Sequence, residues 1–168
     1  MEKFFFMLLI VFCVTRTNSV HTDAGKLSRI LNGRPATENQ FPFMVSLQRL
    51  SEIRSATRGH KCGGVLVTLQ HALTAAAYCT LDWGNNGQLV PINHDEYRVF
   101  AGSVLLSNDT SADRVRRIAY TTEHPEYNMT VNFYVNNIAV IILGTPFLSN
   151  TVAPVTVRDI GNSEIIQG

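Results

Sequence analysis

Residues 60–79, HKCGGVLVTLQHALTAAAYC, contain the pattern that decides the fold. Lys61–Thr68 and His71–Thr74 are short segments rich in β-branched and apolar residues, which favours β-strands. The alanines of Ala75–Cys79 favour a single helical turn after the second strand. A cysteine lies near each end of the stretch, so this region of the chain predicts two strands, a turn and a possible covalent link between them.

Four further segments of the chain have the same strand-like character. The six predicted strands are Phe43–Leu50, Lys61–Thr68, His71–Thr74, Glu96–Ala101, Arg114–Thr121 and Asn137–Leu143. Clusters of turn-forming residues lie between them at 83–87, 107–110 and 124–128. These patterns predict an all-β domain built as one closed or nearly closed six-stranded antiparallel barrel, because closure removes exposed strand edges.

Composition agrees with one globular domain. The chain has 168 residues, of which 45% are hydrophobic and 16% are charged, so it can bury a core. The formal net charge is +1, and no basic run could follow a phosphate backbone. We therefore expect no nucleic-acid partner.

The N-terminus has the pattern of a secretory signal. Met1–Lys3 precede an unbroken apolar stretch, Phe4–Val14, and polar and small residues follow at Thr15–Ser19. This stretch is shorter than the roughly 20 residues that a membrane span needs. We predict a signal peptide at 1–19, a secreted, extracellular protein, and no membrane association after the signal is removed.

Secretion changes how the three cysteines are counted. Cys13 leaves with the predicted signal, so Cys62 and Cys79 remain as a pair in an oxidising compartment, where we expect a disulfide. In the chain-entropy description, a loop of this size stabilises a domain by about 3 kcal/mol. Two buried free thiols are the alternative, whereas a structural zinc site would need more closely paired ligands.

Several motifs occur in an order that resembles the trypsin and chymotrypsin-like serine proteases (peptidase S1). The resemblance covers about Arg29–Val157. The matching strings are Arg29–Gly33, Phe41–Leu47, His60–Leu66, Leu73–Ala76 ahead of Cys79, Ala101–Gly102, His124–Asn128 and Asn137–Leu143.

This resemblance implies two six-stranded barrels with the active site in the cleft between them. The chain matches the first barrel, at 30–157, and 158–168 follows as the start of a truncated inter-barrel segment. The nucleophilic serine, the oxyanion hole and the specificity pocket belong to the second barrel in the family. No Gly-Asp-Ser-Gly-Gly string occurs in these 168 residues, so the second barrel is expected to be missing.

The two triad positions of the first barrel are altered. In the family a histidine directly precedes the second cysteine after Thr-Ala-Ala, but here the position is Ala77 or Tyr78, with one additional residue. Alanine cannot accept a proton, and a phenol titrates near pH 10. Asn137 occupies the expected aspartate position, and a neutral amide cannot offset an imidazolium charge. No catalytic residue is therefore expected.

Five histidines remain as possible replacement bases. They are His21, His60, His71, His94 and His124. A base must lie within hydrogen-bond reach of its nucleophile, and a relocated base would need a relocated serine, so we expect structural roles for them. Nothing near His21 or His94 suggests metal binding, and we predict neither metal nor cofactor.

Two further features concern processing. The segment 20–29 reads as a propeptide, and the Arg29–Ile30 bond is the expected cleavage site for a trypsin-like enzyme. The sequons that begin at Asn108 and Asn128 lie in predicted loops and are candidate N-glycosylation sites, with Asn108 in the more polar surroundings.

Three interpretations of function follow. We favour a secreted, non-catalytic serine protease homologue that binds a secreted protease, an inhibitor or another extracellular protein. Its partner would cover the apolar face that the family buries against the second barrel. The alternatives are an incomplete or erroneous sequence of an active trypsin- or chymotrypsin-like endopeptidase, and a shortened product with little stable structure.

Overall fold

A computed structural model describes residues 33–129 and 134–157. The chain divides into two units at Pro35, and the barrel lies in the second unit, which begins at Ala36. The predicted signal peptide 1–19, the predicted propeptide 20–29, the Arg29–Ile30 bond and the segment 158–168 lie outside the described residues. Their assignments stay predictions.

Ten β-strands are present in the described residues. They are β1 Met44–Arg49, β2 His60–Leu66, β3 His71–Thr74, β4 Leu81–Trp83, β5 Leu89–Pro91, β6 Tyr97–Ala101, β7 Val115–Glu123, β8 Asn128–Met129, β9 Tyr134–Val135 and β10 Ala139–Leu143. Short 3₁₀ turns occur at Leu50–Glu52 and His94–Glu96.

Six of these strands close into one antiparallel barrel in the order β1-β2-β3-β10-β7-β6, with β6 paired to β1. The all-β, six-stranded barrel predicted from sequence is therefore confirmed. Each barrel strand lies within two residues of its predicted bounds. The predicted start at Asn137 is displaced to Ala139 because Asn136 has a left-handed backbone (φ 54°), which interrupts the extended conformation.

The four shortest strands were not predicted. They form two hairpins, β4 with β5 and β8 with β9, each strand only two or three residues long. A segment of that length carries too little alternation to be recognised. The predicted turn at 83–87 connects the first hairpin, where the Gly84 N–H donates to the Gln88 carbonyl at 2.8 Å.

Alternating residues of the barrel strands fill the core. Val45 and Leu47 of β1 face Val99 and Ala101 of β6 across their ladder, and all four are almost inaccessible to solvent. Phe147 joins the same cluster. Each fully buried apolar side chain of this size contributes about 1.5–3 kcal/mol.

A glycine allows the close approach of two barrel strands. Gly64 of β2 lies against β3, and a Cβ at this position would be 2.7 Å from the Leu73 carbonyl oxygen. Its neighbour Gly63 faces open space. The Gly-Gly pair therefore has one member that the packing requires and one that it does not. No helix within the described residues has the length and apolar character needed to cross a membrane.

Candidate functional site

The predicted disulfide is present. Cys62 of β2 is bonded to Cys79, with 5.8 Å between the two Cα atoms. Cys79 lies in an irregular turn, Ala76–Thr80, that follows β3. The bond therefore attaches this turn to the barrel wall at the end of β3, beside Ala77 and Tyr78.

The backbone changes conformation sharply between Ala77 and Tyr78 in this turn. Ala77 is extended (φ −59°, ψ 127°), and Tyr78 is left-handed (φ 60°, ψ −5°). For a non-glycine residue this conformation costs about 1–2 kcal/mol. As a result the Ala77 side chain is buried, whereas Tyr78 projects outward and is 45% exposed.

Asn137 is brought directly against this turn. Its side-chain Oδ1 accepts a hydrogen bond from the backbone N–H of Ala77 at 2.7 Å. Asn137 precedes β10, and Ala139 at the start of β10 pairs with Thr74 at the end of β3. The β3–β10 ladder therefore places Ala77 and Asn137 side by side, although 60 residues separate them in sequence.

Tyr78 lies against a second tyrosine. The hydroxyls of Tyr78 and Tyr134 are 3.1 Å apart, and their rings meet edge-on with centroids 6.2 Å apart. The hydrogen bond with Tyr78, followed by burial, raises the pKa of Tyr134 above its ordinary value of 10.0. Burial likewise raises the pKa of Tyr127, and electrostatic interaction with the nearby Tyr78 raises it further. The phenols of Tyr127 and Tyr134 are therefore protonated at neutral pH and cannot accept a proton.

Comparison with known proteins identifies the family. The sequence profile described as Trypsin matches residues 30–168. The chain belongs to the trypsin family. Rat (Rattus norvegicus) chymotrypsin-C is 33% identical over 138 residues, which are 80% of this chain and 45% of the relative. A chymotrypsin-like serine proteinase of Haliotis rufescens is 33% identical over 68% of this chain and 39% of the relative.

Mouse (Mus musculus) chymotrypsin-C is similar to the same extent, at 34% identity over 74% of this chain and 41% of the relative. The chain therefore spans less than half the length of the curated relatives that it matches. The trypsin family resemblance drawn from sequence motifs is confirmed.

The four described histidines of this trypsin family member all have polar partners away from Asn137. His60 Nδ1 lies 2.7 Å from Ser46 Oγ, and His71 Nδ1 lies 2.7 Å from Thr68 Oγ1. His124 Nδ1 accepts the Glu126 N–H at 3.1 Å. The partner of His94 is the Thr121 hydroxyl, at 3.3 Å. His21 lies outside the described residues.

Two of these histidines are the strongest candidates for a relocated base. His71 pairs with Ile142 and lies three residues from Thr74 along β3. At a rise of about 3.3 Å per residue, His71 is roughly 10 Å from the end of β3, which adjoins Ala77 and Asn137. His124 is closer, since its N–H donates to the Ile138 carbonyl, but its ring caps the turn that follows β7. Neither ring is hydrogen-bonded to Asn137.

Ser46 and His60 form a contact that resembles a nucleophile and its base, at 2.7 Å. Ser46, however, lies within β1 between two core residues and is only 6% exposed. A substrate carbonyl could not reach its hydroxyl. The pair is best explained as a hydrogen bond between adjacent strands β1 and β2 of the trypsin family barrel.

Charged groups near the disulfide form a separate cluster. Asp82 Oδ2 accepts from Lys61 Nζ at 3.1 Å and from Arg49 Nη2 at 3.0 Å. Burial on its own would raise the pKa of Asp82, but the hydrogen bond and charge of Lys61, together with the charge of Arg49, hold that pKa below its ordinary value of 3.8. This carboxylate is therefore ionised and committed to structural partners.

A small apolar cavity of about 190 Å³ opens at the other end of β1. Phe41, Met44 and Val104 line it, and each is close to half exposed. Leu105 follows Val104 and is 64% exposed. We call these four residues the apolar rim. Exposed apolar surface of this kind often marks an interaction site.

Two other predicted features can be located. Asn108 and Asn128 are both exposed, but Asn128 belongs to β8 and is paired with Val135, whereas Asn108 lies in an irregular loop. Their glycosylation stays a prediction. Within the described ranges, no group of three or more His, Cys, Asp or Glu side chains is arranged to hold a metal.

Proposed function

We propose that this protein is a secreted, non-catalytic member of the trypsin family that binds another secreted protein. The observation that carries the proposal is the contact between Asn137 Oδ1 and the Ala77 N–H. This contact supports the proposal because it joins Ala77 to Asn137, two residues expected from sequence at the catalytic histidine and aspartate positions.

The chemistry explains why these two residues matter. A serine hydroxyl becomes a competent nucleophile only when a neighbouring imidazole accepts its proton, and a carboxylate orients that imidazole and stabilises its charge. Loss of the base alone lowers the rate of such enzymes by about 10⁶, and an asparagine in place of the aspartate lowers it by about 10⁴. This argument holds for the described barrel whatever chain follows it.

The partner-binding role is supported by the apolar rim defined above. Its side chains are exposed although they are large and apolar. A partner with a complementary apolar surface would remove them from water, with a favourable free energy of about 25 cal/mol per Å² of apolar surface buried. The class of partner proposed is a secreted protease, a protease inhibitor or another extracellular protein.

A second candidate function is favoured by the comparisons. The relatives carry the names chymotrypsin-C and chymotrypsin-like serine proteinase, and the chain spans less than half of each. The chain would then be part of an active trypsin- or chymotrypsin-like endopeptidase, whose true sequence around Ala77 and Asn137 differs from this one.

One experiment separates the two candidates. The natural secreted protein, at whatever length it occurs, is purified and treated with a fluorophosphonate that labels activated serines, and hydrolysis of chymotrypsin peptide substrates is measured in parallel. Non-catalytic function predicts no labelling and no hydrolysis. Labelling of one serine, with hydrolysis that a substitution of that serine abolishes, would establish the endopeptidase instead.

The binding role has its own test. The secreted protein is immobilised, and proteins retained from the same extracellular fluid are compared with those retained by a variant carrying Val104→Asp and Leu105→Asp. A variant carrying Trp83→Asp and Tyr120→Asp is the matched control, because both side chains are about half exposed, neither is part of the rim, and the pair adds the same charge. A specific partner lost only from the rim variant supports the proposal, whereas equal retention by all three proteins contradicts it.

A further inference from the structure

Two arginines lie directly opposite each other on the outside of the barrel. Arg98 of β6 pairs with Arg117 of β7 in the antiparallel ladder. The neighbours of Arg98, Tyr97 and Val99, belong to the core, so Arg98 points to the outer face, and Arg117 shares that face. Like charges in such cross-strand positions destabilise a sheet unless something offsets them.

Arg98 is buried without a carboxylate partner. It is 4% exposed, and it donates from Nε to Gln48 Oε1 at 2.9 Å, from Nη1 to the Asp109 carbonyl at 2.5 Å, and from Nη2 to the Ser107 carbonyl at 2.8 Å. All three acceptors are neutral. The Asp109 carboxylate is occupied elsewhere, since it accepts from the N–H and the hydroxyl of Ser111.

The pKa of Arg98 shows that burial disfavours its charged form. Burial lowers the pKa of Arg98 from its ordinary value, and the more distant charge of Asp109 offsets this only in part. A buried cation is expected to have a paired anion, because transfer of an unpaired charge from water is costly. In the described residues that anion is missing from the contacts of Arg98.

A cavity of about 330 Å³ opens beside the two arginines. Arg98, Arg117, His94 and Thr110 line it, together with one acidic residue, Asp95. Arg117 is exposed and forms no ion pair or side-chain hydrogen bond with the described part of the chain. The arginines and the aspartate of the lining carry two positive charges and one negative charge, and the guanidinium of Arg117 retains all of its N–H donors for a ligand.

We propose that this cavity binds a tetrahedral oxyanion, either free phosphate or sulfate or the sulfate group of a glycan. Arg117 supplies the planar fork that suits such an anion. Arg98 contributes its charge and the N–H groups left over from its three bonds, since a guanidinium has five. The anion separates the two like charges and supplies the counter-charge that Arg98 does not have.

Asp95 defines the competing arrangement. Its carboxylate is exposed at the same cavity, and a rotation that paired it with Arg117 would remove the need for an external anion. If the cavity is an anion site, Asp95→Asn should increase its affinity for the anion. The substitution removes the single negative charge of the lining.

The test is a titration of the full secreted chain with inorganic phosphate at pH 7, at constant ionic strength maintained with chloride. Binding is followed by the NMR signals of the arginine Nε–Hε groups and by calorimetry. We expect saturable binding that Arg117→Gln weakens about tenfold or more, that Arg117→Lys weakens less, and that Asp95→Asn strengthens.

Arg54→Gln is the matched control, since Arg54 is an exposed arginine outside the cavity and its loss changes the net charge equally. Absence of saturable binding, or equal weakening by Arg54→Gln and Arg117→Gln, would overturn the proposal. All of these substitutions are at exposed positions, so a folded protein is expected in each case. Parallel titrations with inorganic sulfate and with a sulfated disaccharide identify the source of the anion. Tighter binding of the disaccharide than of inorganic sulfate indicates a glycan, and equal binding indicates the free anion.

Discussion

Replacement of Asn137 by alanine should destabilise the barrel measurably. The substitution removes the acceptor of the 2.7 Å hydrogen bond from the Ala77 N–H, and Ala77 is 7% exposed, so water has little access to the freed donor. A buried donor without an acceptor costs about 1–3 kcal/mol. The disulfide at Cys79 keeps the turn attached, so local loosening is expected without loss of the fold.

The measurement is urea unfolding of the purified protein at pH 7, followed by near-ultraviolet circular dichroism. We expect a lower midpoint and an unchanged slope, because the surface exposed on unfolding stays the same. Asn85→Ala is the control, since Asn85 is exposed in the turn between β4 and β5. If both variants lose the same stability, within about 0.3 kcal/mol, the hydrogen bond does not hold the turn and our account of Asn137 is wrong.

Asn137→Asp extends the same reasoning to pH. A carboxylate accepts the Ala77 N–H more strongly than an amide does, so its pKa should be lower in the folded state than in the unfolded chain. The added stability is present above the unfolded pKa, near 4, and is lost as the pH falls through the folded pKa. A difference in stability between this variant and the unsubstituted protein that does not change between pH 3 and 7 would contradict this.

Three further predictions follow from local geometry. Gly64→Ala should lower the unfolding midpoint strongly because its Cβ would lie 2.7 Å from a carbonyl of the adjacent strand, whereas Gly63→Ala should be nearly neutral; thermal unfolding compares the two. Because its pKa is lowered, Asp82 stabilises the fold above about pH 4 and less as the pH falls, so Asp82→Asn should flatten the acid side of the stability profile measured with urea. Asn108→Gln should remove one glycan from the protein, and Asn128→Gln should leave its glycan content unchanged, as read by mass spectrometry before and after glycosidase treatment. The reverse result would show that pairing in β8 does not protect Asn128.

Local patterns in the sequence were sufficient for the barrel strands. Each of the six barrel strands has apolar residues that either alternate with polar ones or follow one another over at least four positions. This pattern reflects burial on one face. The disulfide could also be predicted, since only two cysteines remain after the predicted signal. The hairpins β4–β5 and β8–β9 could not, because a strand of two or three residues carries too little alternation to be recognised, even where its partner is close along the chain.

Ala77, Tyr78 and Asn137 show what the sequence left open at the candidate site. Motif order placed alanine or tyrosine and then asparagine at the expected triad positions, but it could not choose between Ala77 and Tyr78. In the structure Ala77 faces inward and contacts Asn137, whereas Tyr78 faces outward and contacts Tyr134. The two side chains diverge because the backbone is left-handed at Tyr78. That choice depends on contacts made across 60 residues of chain.

The sequence by itself determined the β-class, the barrel strands, the cysteine pair and the residue types available for chemistry, because each of these depends on neighbours close along the chain. Only the tertiary structure decided that Arg98 faces Arg117, that Asn137 caps the turn at Ala77, and which apolar side chains stay in water. Those properties follow from strand register and barrel closure. Both are set by the packing of distant segments, since a shift of one residue in register would turn every side chain to the opposite face.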